Sequence, residues 1–269
     1  MPELPEVETV RRVLKKDLIG LKINNVEIRY PNIISNEINE FLDNVLGKTI
    51  IDINRYGKYL IIVLNEGYIL SHLRMEGKYF YLEEGICDNK HVHVIYHLSN
   101  GYMLEYQDTR KFGRMLYLAS DIYNQEPLVS MGYDLVSSEI NKDIVFEKIK
   151  RKRLPIKSIL LDQSILAGLG NIYVDEVLFK SKINPLKQGN EITLNDVSNI
   201  ILNSKEILNL AIENKGTTIR SYTSSLGVEG NYQNFLQVHT KSICPNCKMP
   251  LNRVKIGGRM TYYCDNCQR

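Results

Sequence analysis

The chain has no apolar run of the length, about 20 residues, that a helix needs to cross a bilayer. A membrane-spanning helix is therefore not expected. It has no internal repeat and no low-complexity tract, which excludes solenoid and array architectures. It has little net charge: 34 Lys+Arg against 31 Asp+Glu leave +3 at pH 7. Overall charge thus says nothing about partners. The first residues are acidic and carry two prolines, unlike a signal peptide, so an intracellular, cytoplasmic protein is expected. Cysteine is scarce, five in 269 residues, and a disulfide framework is a poor reading for such a chain. What remains, with 43% hydrophobic residues, suffices to bury the cores of two domains or of one large one.

Four of the five cysteines form Cys244-x2-Cys247-x16-Cys264-x2-Cys267. This is the spacing of a zinc ribbon, in which two knuckles bring four thiolates onto one tetrahedral ion. Four thiolates fill the coordination sphere and leave no position for water, so a single structural Zn2+ is expected. Cys87 stands apart and reads as a buried or incidental thiol.

The small net charge hides two basic patches. Lys150-Arg151-Lys152-Arg153 is followed by Lys157, and residues 239–269 hold six Lys/Arg against one acid, Asp265. Such patches attract polyanions, although either one alone also fits a solvated face.

Residues 5–18 read as a helix. Pro5 suits its first turn, Glu6 and Glu8 its positive end, Lys15 and Lys16 its negative end, and Val7, Val10, Leu14 and Leu18 form an apolar stripe. From Lys22 to about Ala119 the pattern is β. Strands are expected over 59–64 and 68–73 around Asn65-Glu66-Gly67, and over 91–98 and 102–106 around Ser99-Asn100-Gly101. After about residue 130 helices are expected over 142–152, 156–163, 171–181 and 194–214, the last with a Thr193/Asp196 capping box. Residues 217–231, rich in Ser, Thr, Gly and Tyr, suggest a mobile loop, and 235–239 a return to β.

Pro2 is the residue with the most distinctive chemistry. Removal of Met1, usual before a small residue, would leave a free secondary amine. Such an amine can attack carbon and form an iminium, as a Schiff-base lysine does. An α-amino group titrates near pKa 8, so part of it is unprotonated at neutral pH, whereas lysine at about 10.4 needs burial to match it. The alternative is a frayed terminus.

Six segments in order resemble the formamidopyrimidine-DNA glycosylase family, bacterial base-excision enzymes for oxidised purines. They are Pro2-Glu3-Leu4-Pro5-Glu6-Val7-Glu8-Thr9, Arg55-Tyr56-Gly57-Lys58-Tyr59-Leu60, His72-Leu73-Arg74-Met75-Glu76-Gly77, Asp108-Thr109-Arg110-Lys111-Phe112-Gly113, Ala167-Gly168-Leu169-Gly170-Asn171-Ile172-Tyr173, and the ribbon ending Cys264-Asp265-Asn266-Cys267-Gln268-Arg269. The resemblance implies a multidomain α and β chain: an N-terminal β-sandwich with an N-terminal helix (1–130), a helical helix–two-turn–helix domain (131–234) with a lesion loop at 217–231, and a C-terminal zinc ribbon (235–269). DNA would lie between the first two.

The resemblance also implies roles. Pro2 would be the nucleophile on C1′ of the damaged nucleotide and Glu3 the neighbouring acid/base, although Glu3 also fits a helix N-terminal acid. Lys58 would act at the phosphate beside the lesion. Met75, Arg110 and Phe112 would fill the hole left by the flipped base and contact the orphan base. Asn171, at an expected helix start, would bind phosphate or serve as an N-cap. His91, Arg153 and Lys157 would contact DNA phosphates. Arg259, near a hairpin tip between the knuckles, would contact the lesion-side phosphates and assist the last elimination step. The chain departs from the family pattern at Met131-Gly132-Tyr133-Asp134-Leu135, at Lys215-Gly216 and at His239-Thr240-Lys241-Ser242-Ile243.

The expected function is a bifunctional DNA glycosylase and AP lyase. It would excise 8-oxoguanine and formamidopyrimidines from double-stranded DNA, then act at the abasic site by β,δ-elimination, as a monomer and without a membrane partner. Two alternatives stand beside it: an endonuclease VIII-like enzyme for oxidised pyrimidines, and a non-catalytic damaged-DNA-binding relative. Leu4 and the Met75/Arg110/Phe112 set favour the purine branch.

Overall fold

A computed structural model describes residues 2–85, 89–217 and 230–269. Cys87 and all but the ends of the 217–231 loop lie outside them. The described residues fall into two compact units. One comprises the chain up to Val129 with Lys215–Thr217 and Gly230; the other comprises Ser130–Asn214 and Asn231–Arg269. The helical segment and the ribbon thus share the second unit.

The first unit is a β-sandwich preceded by a helix. Helix α1 (Leu4–Leu18) starts with Pro5 in its first turn and buries Leu4, Val7, Val10, Leu14 and Leu18. Strands β1 (Ile23–Ile28), β2 (Ile50–Tyr56), β3 (Tyr59–Leu64), β4 (Tyr68–His72), β5 (Lys78–Glu83), β6 (Val92–Leu98), β7 (Tyr102–Gln107) and β8 (Arg114–Leu118) form two antiparallel four-stranded sheets. Their orders are β2-β3-β4-β8 and β1-β6-β7-β5. Ile53, Leu60, Ile62 and Ile69 of one sheet and Val94, Tyr96, Leu104 and Tyr106 of the other join a single core with the apolar stripe of α1. Helix α2 (Ile38–Val45) was not expected; Glu37 caps it by accepting from Asn39 N–H and Glu40 N–H, and Phe41 and Val45 are its buried residues.

The second unit carries a two-residue parallel pair, β9 (Tyr133–Asp134) and β10 (Leu166–Ala167), and helices α3 (Lys142–Lys150), α4 (Ile156–Leu160), α5 (Asn171–Lys180) and α6 (Leu194–Glu213). Turns between α4 and α5 make the helix–two-turn–helix arrangement. The Thr193/Asp196 capping box closes in both directions, at 3.0 and 3.1 Å. The ribbon is one hairpin, β11 (Asn252–Ile256) and β12 (Arg259–Tyr263), between the two cysteine knuckles.

Residues 235–239 are not a strand. Gln237, Val238 and His239 instead donate their N–H groups to the Glu176 carboxylate at 2.8, 3.0 and 2.8 Å. A side-chain acceptor on α5 takes the place of a neighbouring strand.

Candidate active site and nucleic-acid interface

At the amino end of α1, Pro2 is buried and Glu3 is 1% exposed. Glu6 fixes this segment: its Oε2 accepts Glu3 N–H at 2.8 Å and its Oε1 accepts Thr217 N–H at 2.8 Å. A residue read as a simple helix-start acid therefore ties the backbone beside Pro2 to the first residue of the 217–231 loop.

Lys58 lies in the two-residue turn between β2 and β3 and is 6% exposed. Gly57 takes φ 56°, which the first central position of such a hairpin loop demands of its residue. Glu8 of α1 anchors this turn. It accepts from Arg11, Arg12 and Arg55, and Arg55 donates onward to the Gly57 carbonyl at 3.0 Å. Burial alone would raise the Glu8 carboxyl, but Arg11, with Arg12 and Arg55, outweighs it and holds Glu8 below the usual carboxylate range. The chain Glu8–Arg55–Gly57 thus connects the helix behind Pro2 to the turn that presents Lys58.

His72, which sequence reasoning gave no role, belongs to the same neighbourhood. It pairs across the sheet with Tyr59, next to Lys58. Burial first, then the charges of Arg74 and Lys58, push its pKa down to about 3. Its Nδ1 accepts Arg74 N–H at 3.0 Å, so the single proton of the neutral ring sits on Nε2, a donor. The pH consequence has a definite sign. A free histidine titrates near 6.5, so below that pH the unfolded chain binds a proton that the folded chain refuses. Stability from this group is complete above about pH 6.5 and is lost as the pH falls towards 3, on the order of 1 kcal/mol per pH unit. His72→Asn should flatten the pH dependence of the unfolding free energy between about pH 6.5 and 4.5; denaturant titrations at a series of pH values would measure this.

Met75 is half-buried in the turn between β4 and β5. Arg110 and Phe112 are exposed, and the Arg110 guanidinium lies 4.8 Å from the Phe112 ring centroid. Asp108 builds the loop beneath them. It is 1% exposed, and its carboxylate accepts from Arg110, Phe112 and Gly113 N–H at 2.9, 2.9 and 2.8 Å. His93, buried, donates from Nε2 to the Asp108 carbonyl at 2.7 Å. Neither Asp108 nor His93 was singled out from sequence. An aspartate followed within five residues by glycine is the available signal, since such residues bond their own downstream backbone. His91 is partly exposed, and its carbonyl accepts Asp108 N–H at 2.9 Å.

In the second unit, Arg153 is exposed before α4. Lys157 is not available to a phosphate. Its side chain is 0% exposed and its ammonium donates to Asp175 Oδ1 at 2.8 Å and to the Met260 carbonyl at 3.1 Å. The expectation of a DNA contact at Lys157 is therefore corrected: desolvating an ammonium demands an internal partner, and Asp175 provides it. Asn171 opens α5 but is not its N-cap, which is Gly170; its Nδ2 donates to the Met260 carbonyl at 2.9 Å. Arg259 opens β12 directly after the hairpin tip, where Gly257 and Gly258 take φ 56° and 76°, the left-handed values a tight two-residue loop requires.

The ligand atoms of Cys244, Cys247, Cys264 and Cys267 lie within 4.8 Å of one another, with Sγ–Sγ distances of 3.8 Å (Cys244–Cys267) and 3.4 Å (Cys247–Cys264). Four sulfurs at about 2.3 Å from a tetrahedral ion stand about 3.8 Å apart, so the thiols fit one zinc.

Three family models match the chain: the formamidopyrimidine-DNA glycosylase N-terminal domain over residues 1–115, the formamidopyrimidine-DNA glycosylase H2TH domain over 131–223, and the zinc finger found in FPG and IleRS over 243–269. The formamidopyrimidine-DNA glycosylase of Streptococcus mutans is 42% identical over 272 residues, covering 100% of both chains. The chain belongs to the formamidopyrimidine-DNA glycosylase family. The Lactobacillus helveticus member is 43% identical over 272 residues, covering 100% of this chain and 99% of that one. Among solved structures, a Lactococcus lactis Fpg variant in complex with a Fapy-dG containing DNA superposes with a TM-score of 0.93 at 38% identity, covering 100% of both chains. The Lactococcus lactis Fpg complex with an abasic site containing DNA matches with the same TM-score, identity and coverage. In this family the four-cysteine cluster is a structural zinc site, held by Cys244, Cys247, Cys264 and Cys267.

Proposed function

We propose that this chain excises oxidised purines, 8-oxoguanine and formamidopyrimidines, from double-stranded DNA with Pro2 as its nucleophile. It is a base-excision repair DNA glycosylase and AP lyase with one structural zinc. The observation that carries this reading is the full-length likeness to formamidopyrimidine-DNA glycosylases, including relatives solved on Fapy-dG and abasic DNA.

The Pro2 amine forms a bond to C1′ as the glycosidic bond breaks and the base leaves. Glu3 gives a proton to the ring oxygen as C1′–O4′ opens, leaving an iminium. The iminium acidifies the C2′ proton, whose loss expels the 3′ phosphate; loss of the C4′ proton then expels the 5′ phosphate. Water hydrolyses the iminium and frees the amine. Lys58 contacts the phosphate beside the lesion, and the neutral His72 offers its Nε2 proton to the same group. Met75, Arg110 and Phe112 occupy the gap in the base stack. Asn171, His91 and Arg153 bind phosphates, and Arg259 assists the last elimination. Four thiolates fill the zinc sphere, so the metal holds the ribbon and binds no substrate.

Residues 1–130 thus carry the nucleophile, 131–234 the helical DNA contacts and the lesion loop, and 235–269 the ribbon arginine. No helix among the described residues is long and apolar enough to cross a membrane. The enzyme works as a monomer in the bacterial cytoplasm, on the nucleoid.

Single-turnover release of 8-oxoguanine opposite cytosine should exceed release of thymine glycol. Faster release of thymine glycol would move the chain to the endonuclease VIII-like branch. Release of neither, by protein with a free Pro2 amine, would leave a damaged-DNA-binding relative without the chemistry.

A further inference from the structure

Asp175 centres a buried charged knot that the proposed chemistry does not use. Its side chain is 0% exposed. Oδ1 accepts from Lys157 Nζ at 2.8 Å; Oδ2 accepts from His239 Nδ1 at 2.8 Å and from Tyr262 N–H at 3.3 Å. Lys157 also donates to the Met260 carbonyl, and so does Asn171. Asp175 lies four residues after Asn171 on α5, on the same helix face. Strand β12 is therefore pinned at Met260 and Tyr262 by donors and acceptors anchored on α4 and α5, and Arg259 is the residue next to the first pin.

Stability does not explain this knot. A buried ion pair replaced by apolar residues of similar volume often leaves a protein equally stable or more so. Nor does bond-counting explain it, because Asn171 Oδ1 is buried with no hydrogen-bond partner. Flipping the amide would set that oxygen against the Met260 carbonyl, so the network fixes its orientation at the cost of one unmet acceptor. What charged, directional bonds give, and apolar packing does not, is a fixed placement of one backbone against another.

We propose that Asp175 is a positioning residue for strand cleavage: through Lys157, His239 and Tyr262 it sets the hairpin that presents Arg259 against the helix start that presents Asn171. This rests on the reading of Arg259 as the residue that assists the last elimination.

The test uses Asp175→Asn, Arg259→Ala and their combination in the zinc-loaded full chain. Because Asp175→Asn leaves a buried ammonium short of charge, a paired Lys157→Met/Asp175→Leu variant serves as a second probe that removes both charges together. Two quantities are read: the ratio of δ- to β-elimination product on an abasic-site duplex, and amide exchange at residues 260–262. In both Asp175 variants base release should stay within about threefold of the parent, while the δ/β ratio falls about ten- to a hundredfold, as expected for a displaced rather than missing group. Adding Arg259→Ala to Asp175→Asn should lower the ratio no further than Arg259→Ala alone, because both act through one side chain. Exchange at 260–262 should quicken by about tenfold or more. If Arg259→Ala lowers the ratio and both Asp175 variants keep the parent ratio, the proposal is overturned. Unchanged exchange at 260–262 in both Asp175 variants overturns it as well, whatever the product ratio. If Arg259→Ala leaves the ratio intact but exchange quickens, the reading of Arg259 falls and the positioning of the hairpin stands.

Discussion

Protein carrying any residue ahead of Pro2 should neither release 8-oxoguanine nor cleave an abasic site at a useful rate. The nitrogen of Pro2 would then be a tertiary amide, with its lone pair committed to the carbonyl and no basicity. The expected loss is about a thousandfold or more, equivalent to about 4 kcal/mol of barrier. Pro2→Gly is the informative contrast. It restores an amine, although a primary one, so part of the rate should return. Binding to an uncleavable abasic analogue should change little in Pro2→Gly, because Pro2 is buried at the helix start and Glu6, which fixes the adjoining backbone, is retained. Single-turnover kinetics beside anisotropy titrations separate the two effects. Comparable rates from protein with Met1 retained would remove Pro2 from the mechanism.

Removing zinc should have the second largest effect. The ribbon contributes few apolar residues of its own: Val238, Cys244 and Cys264 are buried against Phe179 of α5, with Leu251, Tyr262 and two further cysteines packed against them. Such a cluster is too small to hold a hairpin, and metal binding is then folding free energy, on the order of 10 kcal/mol for structural zinc. Chelation, or Cys264→Ser, should release the β12 contacts at Met260 and Tyr262 and lower affinity for damaged duplex by about a hundredfold or more. The unfolding transition of the β-sandwich unit should stay where it is, because its core is made of other residues. Zinc-free protein that binds damaged DNA normally would contradict the role given to the ribbon.

Much of this fold is written in local signals. Ser99-Asn100-Gly101 and Asn65-Glu66-Gly67 mark hairpins because glycine and asparagine tolerate the backbone values tight turns need, and the structure places strands on both sides of each. Thr193 and Asp196 mark a helix start because their side chains serve backbone groups three residues apart. The cysteine spacing marks the zinc site for a similar reason: four ligands of one type, in two close pairs.

The remainder depends on partners remote in sequence. Lys157 follows a basic run and looks solvated, yet its partner Asp175 is 18 residues away and the Met260 carbonyl is 103 away. Residues 235–239 have a strand-like composition, but the Glu176 carboxylate, about 60 residues earlier, captures their N–H groups. Glu6 and Glu8 both fit the positive end of a helix, and nothing local distinguishes the clamp on Thr217 from the arginine cluster behind Lys58. Helix α2 was missed for a different reason: it is eight residues long and lies inside a region dominated by alternation of period two.

The most direct test of the central claim is to trap the intermediate and locate it. Purified protein would be mixed with a duplex holding one 8-oxoguanine opposite cytosine, reduced with borohydride and digested, and the cross-linked peptide sequenced by mass spectrometry. The expected result is a sugar-derived mass on the nitrogen of Pro2, in a peptide that has lost Met1. A cross-link on a lysine, or no cross-link from protein whose Pro2 amine is shown to be free, would contradict it.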